Sequence, residues 1–302
     1  MRNGVEGATV TAVQMEAVID RLAGQLASAG GTVSVWWGRP GSGPAYARLA
    51  DVPHYAASTI KLPLLLAAYQ LADGGDLDLD EPVAVHDDFA SVVGGRFVMD
   101  RGYDNDEEPW QRLGGWASLR WLCRRMIVRS SNLATDLVLE QVGHPAVAAA
   151  LATCGTTGTA LRRPICDDAA AAAGLTNPVT ANDLAAVLGA LVTERAASAP
   201  ASAEMLAVLE AQEYRDEIPA GVPAGTPVAS KSGWVPGVLH DAACVRPPDA
   251  PAYLLVVCTT GLQEEPAREL IRAVAAASWA DRHEMAPCAD GDADRLRDAL
   301  DH

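Results

Sequence analysis

The chain has 302 residues, 49% of them hydrophobic, enough for one large domain or two intimately packed lobes around a substantial core. A formal charge of −16 opposes phosphate backbones and anionic membrane surfaces, and no basic cluster reverses it locally, so neither nucleic acid nor membrane is an expected partner. No run of about twenty apolar residues escapes interruption by charge, which argues against a membrane span.

The opening stretch, MRNGVEGATVTAVQMEAVIDRLAGQL, lacks the continuous apolar segment of a secretory signal. Its acidic residues fall into the pattern of an amphipathic helix over residues 12–29, and the expected location is the cytoplasm. GTVSVWWG (31–38) and PAYARLA (44–50) then alternate around a Gly/Pro turn as a hairpin. From Ser58 to about Leu191 the periodicity becomes helical, predicting helices over 60–73, 117–128, 131–142, 145–153 and 180–194. Strand patterns return at 226–234, 239–247 and 252–260, followed by a helix over about 265–280. The acidic tail from 281 reads as poorly ordered.

Strands at both ends with helices between them predict a mixed α/β (α+β) fold. An antiparallel sheet of about five strands is flanked by helices, with an all-α lobe inserted in its middle. The sheet lobe is expected to comprise residues 1–57 and 203–302, and the helical lobe residues 58–202. The six cysteines (Cys123, Cys154, Cys166, Cys244, Cys258 and Cys288) are scattered without a C-x-x-C pair and read as buried free thiols.

Among 23 basic residues only two are lysines, Lys61 and Lys231. Arginine does not give up its proton in a protein, whereas a desolvated lysine can become a neutral amine, so these two positions stand out. Lys61 lies in the apolar run AASTIKLPLLLAAYQLA, three residues after Ser58. Pro63 belongs in the first turn of a helix, which places Ser58 at the helix N-terminus, beside unpaired N–H groups suited to an oxyanion. One helical turn separates the Ser58 hydroxyl from the Lys61 amine, close enough for the amine to accept its proton. Alone, the pair is a weak signal and reads rather as a helix cap and a lysine snorkelling to solvent. Lys231-Ser232-Gly233 sits in a strand pattern, where a small hydroxyl and a glycine leave room for a ligand along the backbone. Ser130-Ser131-Asn132 precedes a predicted helix and by itself is an ordinary N-cap.

In this order and spacing the three motifs resemble the signature of the penicillin-recognising serine enzymes, most closely class A β-lactamases. The resemblance extends through GGDLDLDEPVAV (74–85), MIVRSSNLATDLVLEQVG (126–143), NPVTANDLAAVLGAL (177–191) and SKSGWVPGVLHDAACVRPP (230–248), covering roughly residues 12–280. It implies that Ser58 is the acylated nucleophile and Lys61 the amine that activates it. It likewise implies that Ser130 relays a proton to the leaving nitrogen and that Asn132 holds the acyl side chain. Lys231 and Ser232 would bind a substrate carboxylate, and the backbone N–H groups of Ser58 and Trp234 would form the oxyanion hole.

Two features depart from that family. Its middle motif usually carries Asp where this chain has Ser131, so one acidic contact is missing or moved. The loop LRRPICDDAAAAAGLTN lacks the glutamate that activates the deacylating water; Asp167 and Asp168 are its only carboxylates and read as a solvated turn. The polar and aromatic stretch 86–115 contains Tyr103 and Trp110, either a wall of the cleft or a packed loop anchor. His240 reads as structural rather than as a base. No metal-ligand spacing or phosphate loop is present, so neither metal nor other cofactor is expected. The expectation is a serine hydrolase acting through an acyl-serine on a lactam, amide or ester of a small soluble metabolite, slow to release penicillins. An acyltransferase or DD-peptidase-like enzyme, and a penicillin-binding protein that does not turn over, are the alternatives.

Overall fold

The computed structural model describes residues 17–19 and 30–285. The helix expected over 12–29 lies largely outside the described residues, with 17–19 helical, and the tail beyond 285 lies outside them entirely.

One antiparallel five-stranded sheet runs in the order β2-β1-β11-β10-β9. Its strands are β1 (Thr32–Gly38), β2 (Pro44–Arg48), β9 (Val228–Val235), β10 (Val238–Val245) and β11 (Tyr253–Thr260). Alternation along each strand divides the sheet between two cores. Leu254, Val256 and Cys258 of β11 face the helices between the strands, together with Trp36, Ala242 and Cys244. Tyr253, Leu255 and Val257 face the opposite way with Val33, Val35 and Trp37. The C-terminal helix covers that second face with Ala267, Leu270, Ile271, Val274 and Ala275, a helical stripe.

The segment between β2 and β9 supplies helices α1 (Lys61–Gly74), α2 (Glu107–Trp110), α3 (Leu119–Val128), α4 (Asn132–Val142) and α5 (His144–Thr153). They are followed by α6 (Asp168–Ala172), α7 (Ala181–Val192), α8 (Ala199–Glu210) and α9 (Ile218–Gly221), with α10 (Glu264–Ala280) after β11. The first nine residues of α1 are all buried, as expected of a helix enclosed on every side by other elements. Three two-stranded ladders accompany these helices: β3 (His54–Tyr55) with β8 (Pro178–Val179), β4 (Pro82–Ala84) with β7 (Trp116–Ser118), and β5 (Asp88–Ala90) with β6 (Arg96–Val98). Helix α8, unanticipated in a stretch rich in Ala, Ser and Pro, starts at the Ser198 cap with Pro200 in its first turn. It packs on β9 and α1, and the lobe boundary expected between 202 and 203 falls inside it.

Candidate active site

Ser58 lies in a 3-10 turn, Ala57–Ile60, that runs directly into α1 at Lys61. Ala57 has φ +46° and Ser130 φ +53°, left-handed conformations that cost a residue with a Cβ roughly 1 kcal/mol or more. Both strained residues stand at the site, where surrounding contacts hold them. The backbone at Ser58 presses against Gly233 of edge strand β9. A Cβ there would stand 2.8 Å from Ser58 N and 2.9 Å from Thr59 N, an approach open only to glycine.

The segment leading to Ser58 is tied down on both sides. Ala56 N–H donates to Asn177 O (2.8 Å), and His240 Nε2 bonds Tyr55 O (2.9 Å). Because His240 Nδ1 accepts the Thr259 N–H (3.1 Å), the proton resides on Nε2, which is therefore the donor to Tyr55. Burial pushes His240 down to about 4, so it is a neutral tether rather than a base.

Both lysines are fully buried. Lys61 Nζ donates to Ser130 O (2.7 Å), Asn132 Oδ1 (2.9 Å) and Ser130 Oγ (3.2 Å). Lys231 Nζ donates to the same Ser130 Oγ (3.1 Å) and to Ser232 O (2.7 Å). The Ser130 hydroxyl thus bridges the two amines. The expected contact between Lys61 and the Ser58 hydroxyl is not among the bonds Lys61 makes here; its amine is turned toward the middle motif. Burial lowers Lys61 to about 8 against the opposing pull of Asp104 and Asp136. Burial, and then the neighbouring Lys61, push Lys231 well below the ordinary lysine value. Two buried amines converging on one hydroxyl disfavour carrying the ammonium charge on both at once.

The acidic contact missing from the middle motif is supplied from elsewhere in the chain. Asp104 accepts from Asn132 N (2.9 Å), Leu133 N (2.8 Å), Ser131 Oγ (3.1 Å) and Trp110 Nε1 (2.9 Å). A carboxylate thereby sits at the N-terminus of α4, where the helix dipole favours it, and Ser131 Oγ caps Ala134 N (3.1 Å). Sequence reasoning missed Asp104; an acidic residue in the stretch facing the middle motif was its one available signal. Trp110 is a buried loop anchor. Tyr103 contributes its carbonyl, which accepts from Asn132 Nδ2 (2.6 Å), while the residue as a whole is 73% exposed.

The loop before β8 is organised by Arg163 and Asn177. Arg163 donates to the carbonyls of Pro164, Ile165 and Leu175 and to Tyr55 Oη, and Asn177 Oδ1 accepts the N–H groups of Arg162 and Arg163. Asp136 Oδ1 holds Ile165 N (2.9 Å), and burial raises this carboxyl to about 7. Asp167 corrects the expectation of a solvated turn. It is fully buried, accepting from Ser91 Oγ (2.9 Å), Val92 N (3.0 Å) and Ala170 N (3.0 Å), so it fastens two loops together. Asp168 is exposed in the first turn of α6.

A cleft of about 230 Å³ brings together Ser58, Ser130, Ser232, Gly233 and Trp234, with Asn105, Tyr214 and Leu239 also in its lining. Among the described residues no His, Cys, Asp or Glu cluster is arranged to hold a metal ion, and no helix is long and apolar enough to cross a membrane.

This fold, with a serine and two buried lysines gathered at the edge of its sheet, is that of a penicillin-recognising serine hydrolase. The model of the Beta-lactamase enzyme family matches residues 14–281, and the chain belongs to that family. It is similar to the β-lactamase of Sphaerobacter thermophilus, with 25% identity and a TM-score of 0.76 over 91% of this chain and 99% of that one. PBP-A shares the fold at 20% identity and TM-score 0.75, over 89% and 97% of the two chains. A β-lactamase from Xanthomonas campestris pv. campestris does so at 22% and 0.76, over 88% and 97%. No curated protein matches in sequence. The enzyme is accordingly a serine hydrolase of the acyl-enzyme type.

Proposed function

We propose that Ser58 attacks a lactam, amide or ester carbonyl of a small metabolite, and that the resulting acyl-serine is released slowly when the donor is a penicillin. The observation that carries this reading is the Ser130 hydroxyl, 3.2 Å from Lys61 Nζ and 3.1 Å from Lys231 Nζ, in the cleft that also holds Ser58. Neutral Lys61 takes the Ser58 proton as Oγ bonds to the carbonyl carbon, and the backbone N–H groups of Ser58 and Trp234 receive the oxyanion. On collapse, Ser130 gives its proton to the leaving atom and regains one from Lys61, so that the proton count closes. Asn132, whose amide is held by Lys61 and by Tyr103 O, is the group we assign to the acyl side chain.

Transfer of the acyl group to an amine is a second reading, favoured by Asp167, whose two oxygens are already taken by Ser91, Val92 and Ala170. A fluorophosphonate or β-lactam probe followed by peptide mapping tests the nucleophile. Label is expected on Ser58 and lost in Ser58→Ala; label on Ser130 or Ser232 would overturn the assignment. Product partition between water and an added amine separates hydrolysis from transfer.

A further inference from the structure

The segment that carries Ser58 crosses the main sheet along a single row of positions. Ser34 of β1 stands opposite Cys258 of β11, Cys258 opposite His240 of β10, and His240 opposite Gly233 of β9. Residues opposite one another in antiparallel ladders share a face, so these four form one rank beneath residues 54–59. His54 meets Ser34 at one end of it and Tyr55 O meets His240, while the N–H groups of Ser58 and Thr59 lie against Gly233 at the other end.

Two histidines fasten that crossing, and the directions of their hydrogen bonds follow from their partners. Ser34 Oγ donates its one proton to Leu49 O (2.6 Å), so it accepts from His54 Nε2–H (2.8 Å). In the neutral ring Nδ1 is then left to accept from Thr260 Oγ1 (2.7 Å). His240 holds the same tautomer, donating to Tyr55 O and accepting from Thr259 N–H. The two rings are buried and meet edge to face, with centroids 5.4 Å apart. Burial lowers the pKa of each, which keeps both neutral and this pattern of donors and acceptors intact.

What the clasp restrains comes next along the chain. Ala57 is held at φ +46°, a conformation that persists only where its surroundings over-determine it, and Ser58 follows directly. Slackening at Tyr55 would let Ala57 relax out of the left-handed region and carry Ser58 Oγ with it. A misplacement of about 1 Å at a reacting atom costs roughly a hundredfold in rate.

We infer that His54 and His240 are positioning residues for acylation: they fasten the strand before the nucleophile to β1, β10 and β11, and thereby hold Ala57 strained and Ser58 in attacking position. This rests on the reading of Ser58 as the acylated nucleophile. It gives His240 a part in the reaction rate beyond the structural role expected from the sequence. The loss on slackening the clasp falls on bond formation and not on binding, because Asn105, Ser130 and Ser232, the other polar residues beside Ser58 in the cleft, lie outside segment 54–59.

The test exchanges one half of the His240 ring at a time. An asparagine amide reproduces the Nδ1 acceptor for Thr259 and drops the donor to Tyr55, whereas a glutamine amide reproduces the Nε2 donor and drops the acceptor. A fluorophosphonate probe is titrated against each protein, and mass spectrometry of the Ser58 adduct gives a limiting rate and a half-saturating concentration. His240→Asn should lower the limiting rate about tenfold or more at an unchanged half-saturating concentration, while His240→Gln stays within about threefold of the native rate. Partial loss of folded protein alters the amplitude of labelling and not the rate constant. Equal limiting rates in the two variants, native or slowed, would overturn the inference, since a ring that only supports the fold gives no preference for the half that reaches Tyr55. Should His240→Asn fail to fold, His54→Asn and His54→Gln pose the same choice at Ser34, with the same ranking expected. In the native enzyme, NMR of the histidine nitrogens near neutral pH should find both rings as neutral Nε2–H tautomers; an Nδ1–H tautomer or an imidazolium at either would overturn the clasp. Label on the native enzyme at a residue other than Ser58 would overturn the nucleophile assignment and this inference with it.

Discussion

Lys61 shows what one buried amine requires of its neighbours. Desolvation disfavours its ammonium while Asp104 and Asp136 favour it, and the balance leaves its pKa at about 8. At pH 7 about a tenth of such a group is neutral and able to accept the Ser58 proton. Acylation should therefore quicken with rising pH and level off above about 8, read as the rate of adduct formation by stopped flow. A guanidinium does not take up a proton at these pH values, so Lys61→Arg should slow acylation about a hundredfold or more. Thermal unfolding of that variant separates loss of the base from loss of the fold. Equal rates in the two proteins would dismiss the general-base role. The bare spacing of Ser58 and Lys61 made this pair legible in the sequence. It did not reveal that Lys61 is turned toward Ser130 and Asn132, because the partners of a buried amine come from another helix.

At the scale of elements, the periodic segments were legible and the capped or short ones were not. The hairpin, the three C-terminal strands and the helices α1, α3, α4, α5, α7 and α10 lie within a few residues of their predicted bounds. Helix α8 and the three two-stranded ladders were missed, since two or three residues carry no period and an Ala-Ser-Pro stretch reads as a loop. The N-terminus of α4 is the instructive case. Ser131 removes a carboxylate from the motif and Asp104, outside it, restores one at bonds of 2.8 to 3.1 Å. Asp104→Asn should destabilise the protein by about 1–3 kcal/mol in urea unfolding, through the lost charge at the helix end and its hydrogen bonds. It should also move the pH profile of acylation downward, because removing an anion that favours the Lys61 ammonium lowers that pKa. An unchanged profile would mean that Asp104 only caps the helix.

For the whole molecule, the proposed slow release of a penicillin acyl-enzyme rests on the loop between α5 and β8. Arg163 and Asn177 fold it onto its own carbonyls and N–H groups, and Asp167 is drawn to Ser91 and Val92. A general base contributes about a hundred- to ten-thousand-fold, so penicillin adducts at Ser58 should persist for minutes or longer by intact mass spectrometry. Asp167→Asn should lower stability by about 1–3 kcal/mol, since it places an amide group among donors, and leave deacylation unchanged. Rapid penicillin turnover in the native enzyme, lost in Asp167→Asn, would assign that carboxylate the role of base.

Local spacing carried the proposed nucleophile, the amine one turn away and the lysine on its strand, because a helix repeats every 3.6 residues and a strand every two, and both periods are written in consecutive residues. The class of enzyme followed from three such motifs in order. What the tertiary structure alone decided is which charges are answered and by whom. Asp104 reaches Asn132 across 28 residues, Asp167 reaches Ser91 across 76, and Glu217 meets Arg268 across 51. Carboxylate and guanidinium charges act through space, so their partners are set by how distant segments pack, which no local pattern records.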